Sequence, residues 1–164
     1  MHAVLDAVFP FLVVPIVSFA WHEAAHALFA LALTRGPVLI VVGSGAGPRL
    51  RVGRLAVRVS AFPKGGVCVH EPTRHRYDRA LIAAAGPISS LLLAAIAWYS
   101  HRFAEPFTLF WFTFVWAAVA NVATALGCAW PRYTQPATGS GEPRPTDGML
   151  VVRALRPDGR GARS

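Results

Sequence analysis

The chain has 164 residues, enough for one compact domain or for a few membrane helices with one connecting module, and no second large domain is expected. Hydrophobic residues make up 54% of the chain and charged residues 15%, whereas an ordinary soluble domain has about 25% charged residues. This balance argues against a soluble protein and indicates a membrane protein, so the formal charge of +8 has to be explained by where the basic residues lie.

Three apolar stretches are long enough to cross a bilayer, which takes about 20 helical residues. They lie at 3–33, 79–100 and 106–130, and the first contains the charged pattern HEAAH. A cleaved signal peptide is the alternative for the first stretch, because ALA at 30–32 resembles a cleavage site. The stretch has no Lys or Arg before it and is long, which favours a retained helix.

The basic residues are distributed unevenly between the apolar stretches. Nine lie between Arg35 and Arg79, six follow Pro131, and only Arg102 separates the second and third stretches. The positive-inside rule therefore predicts a multi-pass cell-membrane protein whose 35–79 loop and C terminus are cytoplasmic. Fifteen Arg against one Lys indicate a GC-rich bacterial genome, and hence a bacterial inner membrane. The charge then reflects topology, and no nucleic-acid partner is expected.

The region at 38–69 changes to strand periodicity. Apolar residues alternate with arginines from Arg49 to Val59, around a tight turn at Gly53-Arg54. The pattern predicts a small β-hairpin or sheet between the first two helices, with an apolar face and an arginine face. We expect it to lie at the cytoplasmic surface, where anionic lipid headgroups attract it.

The C-terminal part begins with a segment rich in Pro, Gly, Ser and Thr, which predicts a loop at 131–146. A short helix is predicted at 147–155 and a disordered tail at 156–164. The predicted fold is thus an α-helical integral membrane protein with about three transmembrane helices, a small inserted sheet and a short C-terminal helix, in a single core at 1–155. No disulfide is expected between Cys68 and Cys128, because cytoplasmic thiols are normally reduced.

HEAAH at 22–26 is the strongest chemical signal. With six His and four Glu in the chain, about 0.005 HExxH matches are expected by chance. Residues i and i+4 share a helix face, so His22 and His26 can bind one zinc ion, and Glu23 can take a proton from water that the zinc activates. The alternative is that these residues are polar groups packed between helices, but ionisable groups within a membrane are costly and usually functional.

A catalytic zinc needs a third protein ligand and an open position. Asp147 is the favoured candidate, because it opens an apolar segment and its carboxylate can point back into the helix bundle. Its alternative role is that of a helix N-cap or turn residue. The other candidates lie in the basic connection, where such groups are more often solvated or paired with Arg: His70, Glu71, His75 and Asp78.

HEAAH on the first helix, FPKGG at 62–66, AAGP at 84–87 and TDG at 146–148 together resemble the site-2 protease family of intramembrane zinc metalloproteases. The resemblance covers nearly the whole chain. It implies that His22, His26 and Asp147 bind Zn²⁺ and that Glu23 is the catalytic base. It also implies that the glycine-containing hairpin loop, with Pro63, Gly65 and Gly66, helps to position the substrate.

The sequence departs from the family pattern at two places. Ser90 stands where the family has the asparagine of AGPxxN, and Cys128 stands where it has the asparagine of NxxP. Asn121 is the only asparagine in the chain. It could contact the substrate or a developing oxyanion, or it could form an interhelical hydrogen bond.

The function expected from this resemblance is zinc-dependent hydrolysis of peptide bonds within or next to transmembrane segments, near the cytoplasmic leaflet. The expected partners are a membrane-protein substrate and the lipid bilayer, and a regulatory membrane partner is compatible with the sequence. A non-catalytic zinc-binding membrane scaffold is the main alternative. A metal transporter would also place His and Glu in the membrane, but transporters usually have paired repeats, and none is visible.

Overall fold

The computed structural model describes residues 2–60, 62–134 and 143–156. Within these ranges the chain forms three long helices, a four-stranded sheet, a short strand pair and a short last helix. In chain order, the elements are α1 (His2–Leu33), β1 (Val38–Ser44), β2 (Arg49–Val52), β3 (Leu55–Val59), β4 (Phe62–Val69), α2 (Arg76–Ser100), α3 (Leu109–Ala129), β5 (Tyr133–Thr134), β6 (Arg144–Pro145) and α4 (Asp147–Leu155). The predicted fold class of a mainly helical chain with a small inserted sheet is confirmed.

Three segments are long and apolar enough to cross a membrane: Pro10–Leu33, Arg76–Phe103 and Leu109–Ala129. Each carries large apolar side chains on its outer surface, among them Leu28, Ile88 and Phe110. Exposed apolar surface of this extent is rare on soluble monomers but suits contact with lipid. Many of the apolar residues that indicated a membrane protein therefore lie on the outside of the helix bundle.

The inserted sheet has the strand order β2-β3-β1-β4. β2 and β3 form the antiparallel hairpin predicted around Gly53, whose φ of 58° suits a residue without a Cβ. β1 pairs in parallel with β3 and antiparallel with β4. The sequence FPKGG was expected in a hairpin loop, but it lies within strand β4. β4 has only β1 as a neighbour, so one edge of this strand is unpaired within the described sheet.

A small hydrophobic core fixes the sheet to the end of α1. Ala27 and Ala30 of α1 pack against β1 and against Ile82 of α2. Arg54, in the turn of the β2–β3 hairpin, donates hydrogen bonds of 2.8 Å to the backbone carbonyls of Leu31 and Thr34. These carbonyls lie at the C-terminal end of α1, where a cation is also favoured by the helix dipole.

The segment at 131–146 was predicted to be a loop, and this prediction is wrong at its two ends. Tyr133 pairs with Pro145 and Thr134 with Arg144, which makes a short antiparallel connection. The centre of the segment, 135–142, and the predicted tail from residue 157 onward lie outside the described residues. The pairing brings the start of α4 back to the end of α3.

Candidate metal centre

The HEAAH residues lie on the inner side of α1. Ser18, His22 and His26 are spaced four residues apart, so they share one face of the helix. Only 3% of His22, 7% of Glu23 and 6% of His26 is exposed. Polar groups buried to this degree need partners, and the two imidazoles find them on α2 and α4.

Three ligand atoms form a compact triangle. The Nε2 atoms of His22 and His26 lie 3.2 Å apart, and Oδ2 of Asp147 lies 3.1 Å from the first and 3.4 Å from the second. Zinc bonds to nitrogen and oxygen are about 2.0–2.1 Å long, so two ligands of a tetrahedral zinc lie about 3.3 Å apart. The triangle thus has the dimensions of one face of a zinc tetrahedron, and the donor set is one that zinc accepts.

The other ring nitrogens of the two histidines are hydrogen-bonded to α2. Nδ1 of His26 lies 2.6 Å from the backbone carbonyl of Ile82, and Nδ1 of His22 lies 2.9 Å from Oγ of Ser90, which is fully buried. A carbonyl can only accept, so Nδ1 of His26 carries the proton and its Nε2 keeps a free lone pair. Metal-binding histidines are commonly oriented in this way. Ser90, which stands in place of the family asparagine, therefore still contacts a site histidine.

Gly86 completes the face of α2 that meets the histidines. Ile82, Gly86 and Ser90 are four residues apart and lie one above the other on this helix. A Cβ at Gly86 would overlap Nε2 of His26 and lie 2.5 Å from Nε2 of His22. Residue 86 therefore has no room for a side chain beside the two ligand atoms.

Asp147 is positioned by the residues on either side of it. Thr146 occupies the N-cap position of α4, and its hydroxyl donates to the carbonyl of Trp130 at 2.7 Å and accepts from the backbone N–H of Arg132 at 3.1 Å. A Cβ at Gly148 would overlap the carbonyl of Ala129, so α4 begins in close contact with the end of α3. Asp147 is the first helical residue and its side chain points to the histidines.

The ionisation of two side chains agrees with these roles. Burial would raise the pKa of the Asp147 carboxyl, but the close contacts with His22 and His26 outweigh it and leave the pKa below its usual value. A carboxylate is the form that binds a metal. Burial, together with the nearby charge of Glu23, raises the pKa of the Cys68 thiol to about 12. Cys68 is therefore a neutral thiol near pH 7, and it does not belong to the group of three potential metal ligands.

A cavity of about 640 Å³ opens next to this triangle. Its walls include Glu23, Gly66 and Cys68 on one side and Cys128 near the end of α3 on the other. A Cβ at Gly66 would lie 2.5 Å from Cγ of Glu23, so strand β4 runs directly past the glutamate. Gly65, with a φ of 112° and open space around it, is adjacent to this contact.

The other predicted residues do not belong to the ligand triangle. His70 lines the cavity, but its Nδ1 bonds with the carbonyl of Glu71. In the described part of the chain, the group of three potential metal ligands consists of His22, His26 and Asp147, and includes none of the other ligand candidates. Pro63 lies in β4, upstream of the contact with Glu23.

Asn121 lies at the interface of α1 and α3. It is fully buried, and its Nδ2 donates to Oγ of Ser18 and to the carbonyl of Ala117, both at 2.8 Å. It does not line the cavity beside the histidines. Its contacts support the interhelical role rather than contact with a substrate.

Comparison with known proteins is consistent with this arrangement. The model of the family described as Peptidase M50B-like matches residues 3–129. No curated protein matches the sequence. Among solved structures, the chain is similar to the Site-2 Protease from Methanocaldococcus jannaschii, with a TM-score of 0.55 and 16% sequence identity. The match covers 89% of this chain and 53% of the other, so the chain spans about half the length of that protein. At this identity, the likeness concerns the fold.

Proposed function

The chain belongs to the M50B-like peptidases of the site-2 protease family, and from this premise we propose that it is an intramembrane zinc metalloprotease. In this proposal it hydrolyses peptide bonds within or next to transmembrane segments of membrane-tethered proteins. The observation that carries the proposal is the triangle of His22, His26 and Asp147 with Glu23 beside it, at the edge of a cavity of about 640 Å³.

The roles of the residues follow from their chemistry. His22, His26 and Asp147 would hold Zn²⁺, which polarises carbonyls and makes water acidic enough to lose a proton near neutral pH. Glu23 is outside the ligand triangle and next to the cavity, which suits a general base. It would take the proton from the attacking water and pass it to the leaving amine.

The depth of the site supports cleavage inside the membrane near one surface. His26 and His22 lie 7 and 11 residues before the end of α1 at Leu33, which corresponds to roughly 10 and 16 Å along the helix. The sheet and α4 lie at this same end of the bundle, together with most of the basic residues. By the positive-inside rule this end is cytoplasmic, so we place the cut near the cytoplasmic leaflet.

A helical substrate hides its peptide bonds in internal hydrogen bonds, so it must unwind locally before hydrolysis. The unpaired edge of β4 offers backbone hydrogen bonds to such an extended segment, by strand addition. Because Gly66 of this strand is in contact with Glu23, a paired segment would lie close to the catalytic base. Pro63, Gly65 and Gly66 are assigned to substrate positioning on this basis.

Gly66→Ala tests the role of β4. The added methyl group would push against Glu23 and shift the strand or the carboxylate, while His22, His26 and Asp147 are untouched. We expect the kcat/KM for a single-span substrate to fall about 10–100-fold, at or below the lower limit of the 10²–10⁴-fold contribution of a general base, because the carboxylate is displaced and not removed. One zinc ion should still be bound per chain. The control is Gly45→Ala. This change strains the backbone at a φ of 95°, but the added methyl group would have no atom within 4 Å. Cleavage equal to wild type in Gly66→Ala would refute this use of the strand.

The proposed activity itself is tested with the purified full chain in phosphatidylcholine vesicles. The substrate is a single-span protein with a fluorescent cytoplasmic tag, and mass spectrometry identifies the released fragment. We expect a cut within or next to the membrane segment, complete loss of cleavage after treatment with a zinc chelator, and recovery on addition of Zn²⁺. Cleavage that persists without metal would contradict the proposal.

The scaffold alternative gives a different result in the same preparation. A zinc-binding scaffold would contain one zinc ion per chain but would release no fragment from any of a panel of single-span substrates. That outcome would replace the protease proposal by the alternative.

A further inference from the structure

Four arginines line the cavity above the metal triangle: Arg79, Arg132, Arg144 and Arg153. They come from the start of α2, the segment after α3, strand β6 and helix α4, so chain segments far apart in sequence bring their charges to one opening. Among the described residues, the acidic ones that line the same cavity are Glu23 and Asp147, both already used at the metal centre. None of the four arginines pairs with a carboxylate among residues 2–60, 62–134 and 143–156.

Two of these arginines are held in place by neutral partners. Arg153 donates a hydrogen bond to the hydroxyl of Tyr133, and its guanidinium lies 5.1 Å from the centre of the Tyr133 ring. Arg79 donates to the backbone carbonyl of Thr73 at 3.2 Å. Neither contact neutralises the charge, so the wall that the described residues form stays positive and offers N–H donors to an anion.

Topology explains why these arginines are on the cytoplasmic side but not why they surround one cavity. Arg49 and Arg51 on strand β2 satisfy the positive-inside rule equally well, and they are exposed outside the cavity. The same rule gives most membrane proteins Lys and Arg at the cytoplasmic ends of their spans. A cavity lined by four arginines repels such a flank and attracts an acidic one, which is how charge discriminates between competing partners.

We propose that the cavity arginines select substrates whose cytoplasmic flank next to the membrane segment carries Asp or Glu. This inference rests on the proposed function, since it names the class of substrate for that site. The bound group is a carboxylate of the incoming segment, which would reach the arginines as the extended chain passes from β4 toward the metal triangle. A lipid phosphate has related chemistry, and the experiment separates the two sources.

The test measures binding, so that it does not depend on turnover. The full-length Glu23→Gln protein is placed in phosphatidylcholine vesicles with peptides that share one 20-residue Leu/Ala segment, a length that spans the bilayer. The flank is acidic (Asp and Glu), neutral (Asn and Gln) or basic (Lys and Arg), and energy transfer to a labelled protein gives the Kd. We expect the acidic peptide to bind about tenfold more tightly than the neutral one and the basic peptide to bind most weakly.

Variants locate the effect. The double variant Arg132→Gln/Arg144→Gln should lose the preference for the acidic peptide. The matched double variant Arg49→Gln/Arg51→Gln should keep it, although each double variant removes two charges from the cytoplasmic side. Raising the salt from about 0.1 M to about 1 M shortens the Debye length from about 10 to about 3 Å, and should reduce the preference in the wild-type arginine background.

Three outcomes would overturn the inference. The first is equal affinity for the acidic and neutral peptides. The second is a preference that does not change when Arg132 and Arg144 are replaced. The third is a preference that disappears when part of the lipid is replaced with phosphatidylglycerol, which would assign the arginines to lipid headgroups. A parallel cleavage assay with Glu23 intact separates the two proposals. Selective binding of the acidic peptide without any cleavage would keep the charge preference of the cavity but would reject the protease, and with it the identification of the bound segment as a substrate.

Discussion

Replacing Glu23 with Gln is expected to lower kcat about 10²–10⁴-fold, the usual contribution of a general base. Gln has nearly the same shape as Glu but cannot take a proton from water. The three atoms of the ligand triangle belong to His22, His26 and Asp147, so the variant should still bind one zinc ion. Zinc content and fragment release, measured on the same preparation, report the two properties separately.

In cells, membrane proteomics of the wild type against Glu23→Gln extends this test. We expect one or a few single-span proteins to accumulate at full length while their soluble fragments disappear. Glu105→Gln is the control, because it removes a carboxylate in the connection between α2 and α3, away from the cavity. Identical profiles for wild type and Glu23→Gln would argue against catalysis and in favour of the zinc-scaffold alternative.

The helices and the ligand triangle could be predicted because each depends on a local pattern. Apolar runs of membrane-spanning length define α1, α2 and α3 with little regard to their neighbours. His22 and His26 are four residues apart on one helix, so their common face follows from helix geometry alone. Asp147 is distant in sequence, and its selection depended on its position at the start of an apolar segment and on the family resemblance.

The strand pairings required information that the sequence pattern does not contain. The alternation of Arg and apolar residues predicts strands and the turn of the β2–β3 hairpin. It does not indicate that β1 pairs in parallel with the second strand of this hairpin, β3. FPKGG carries a Pro and two Gly, which are typical of turns, yet these residues continue strand β4 at the edge of the sheet. An edge strand tolerates Pro because one side of its backbone is unpaired.

The supporting residues of the site were not predicted from their chemistry. Ser90 counted only as a departure from the family pattern, since nothing in the sequence shows that its hydroxyl lies 2.9 Å from Nδ1 of His22. Thr146 and Gly148 hold Asp147 through contacts with the end of α3, which depend on the packing of two helices. The small residues of α2 at positions 86 and 90 were the available signal, because they let α2 approach the helix that carries the histidines.

Replacing Gly86 with Ala is expected to abolish zinc binding, and with it all cleavage. The new methyl group would occupy the space where Nε2 of His26 and Nε2 of His22 converge, so the imidazoles would have to turn away from each other or from Asp147. Loss of the residue that hydrogen-bonds to a zinc ligand lowers the zinc affinity about 10–100-fold. A methyl group placed between the ligand atoms themselves should lower it further. Titration with a fluorescent zinc indicator measures the affinity without reference to activity.

Gly127→Ala is the matched control for this change. Gly127 is also a helical glycine that lines the cavity, but a Cβ at this position meets nothing within 4 Å. Alanine favours helix over glycine by about 1 kcal/mol, so both variants gain the same local preference and differ in what the methyl group meets. Zinc bound normally by Gly86→Ala would mean that the ligands meet the metal in another arrangement. Loss of zinc in Gly86→Ala together with full binding in Gly127→Ala would place the metal between α1 and α2 at residue 86.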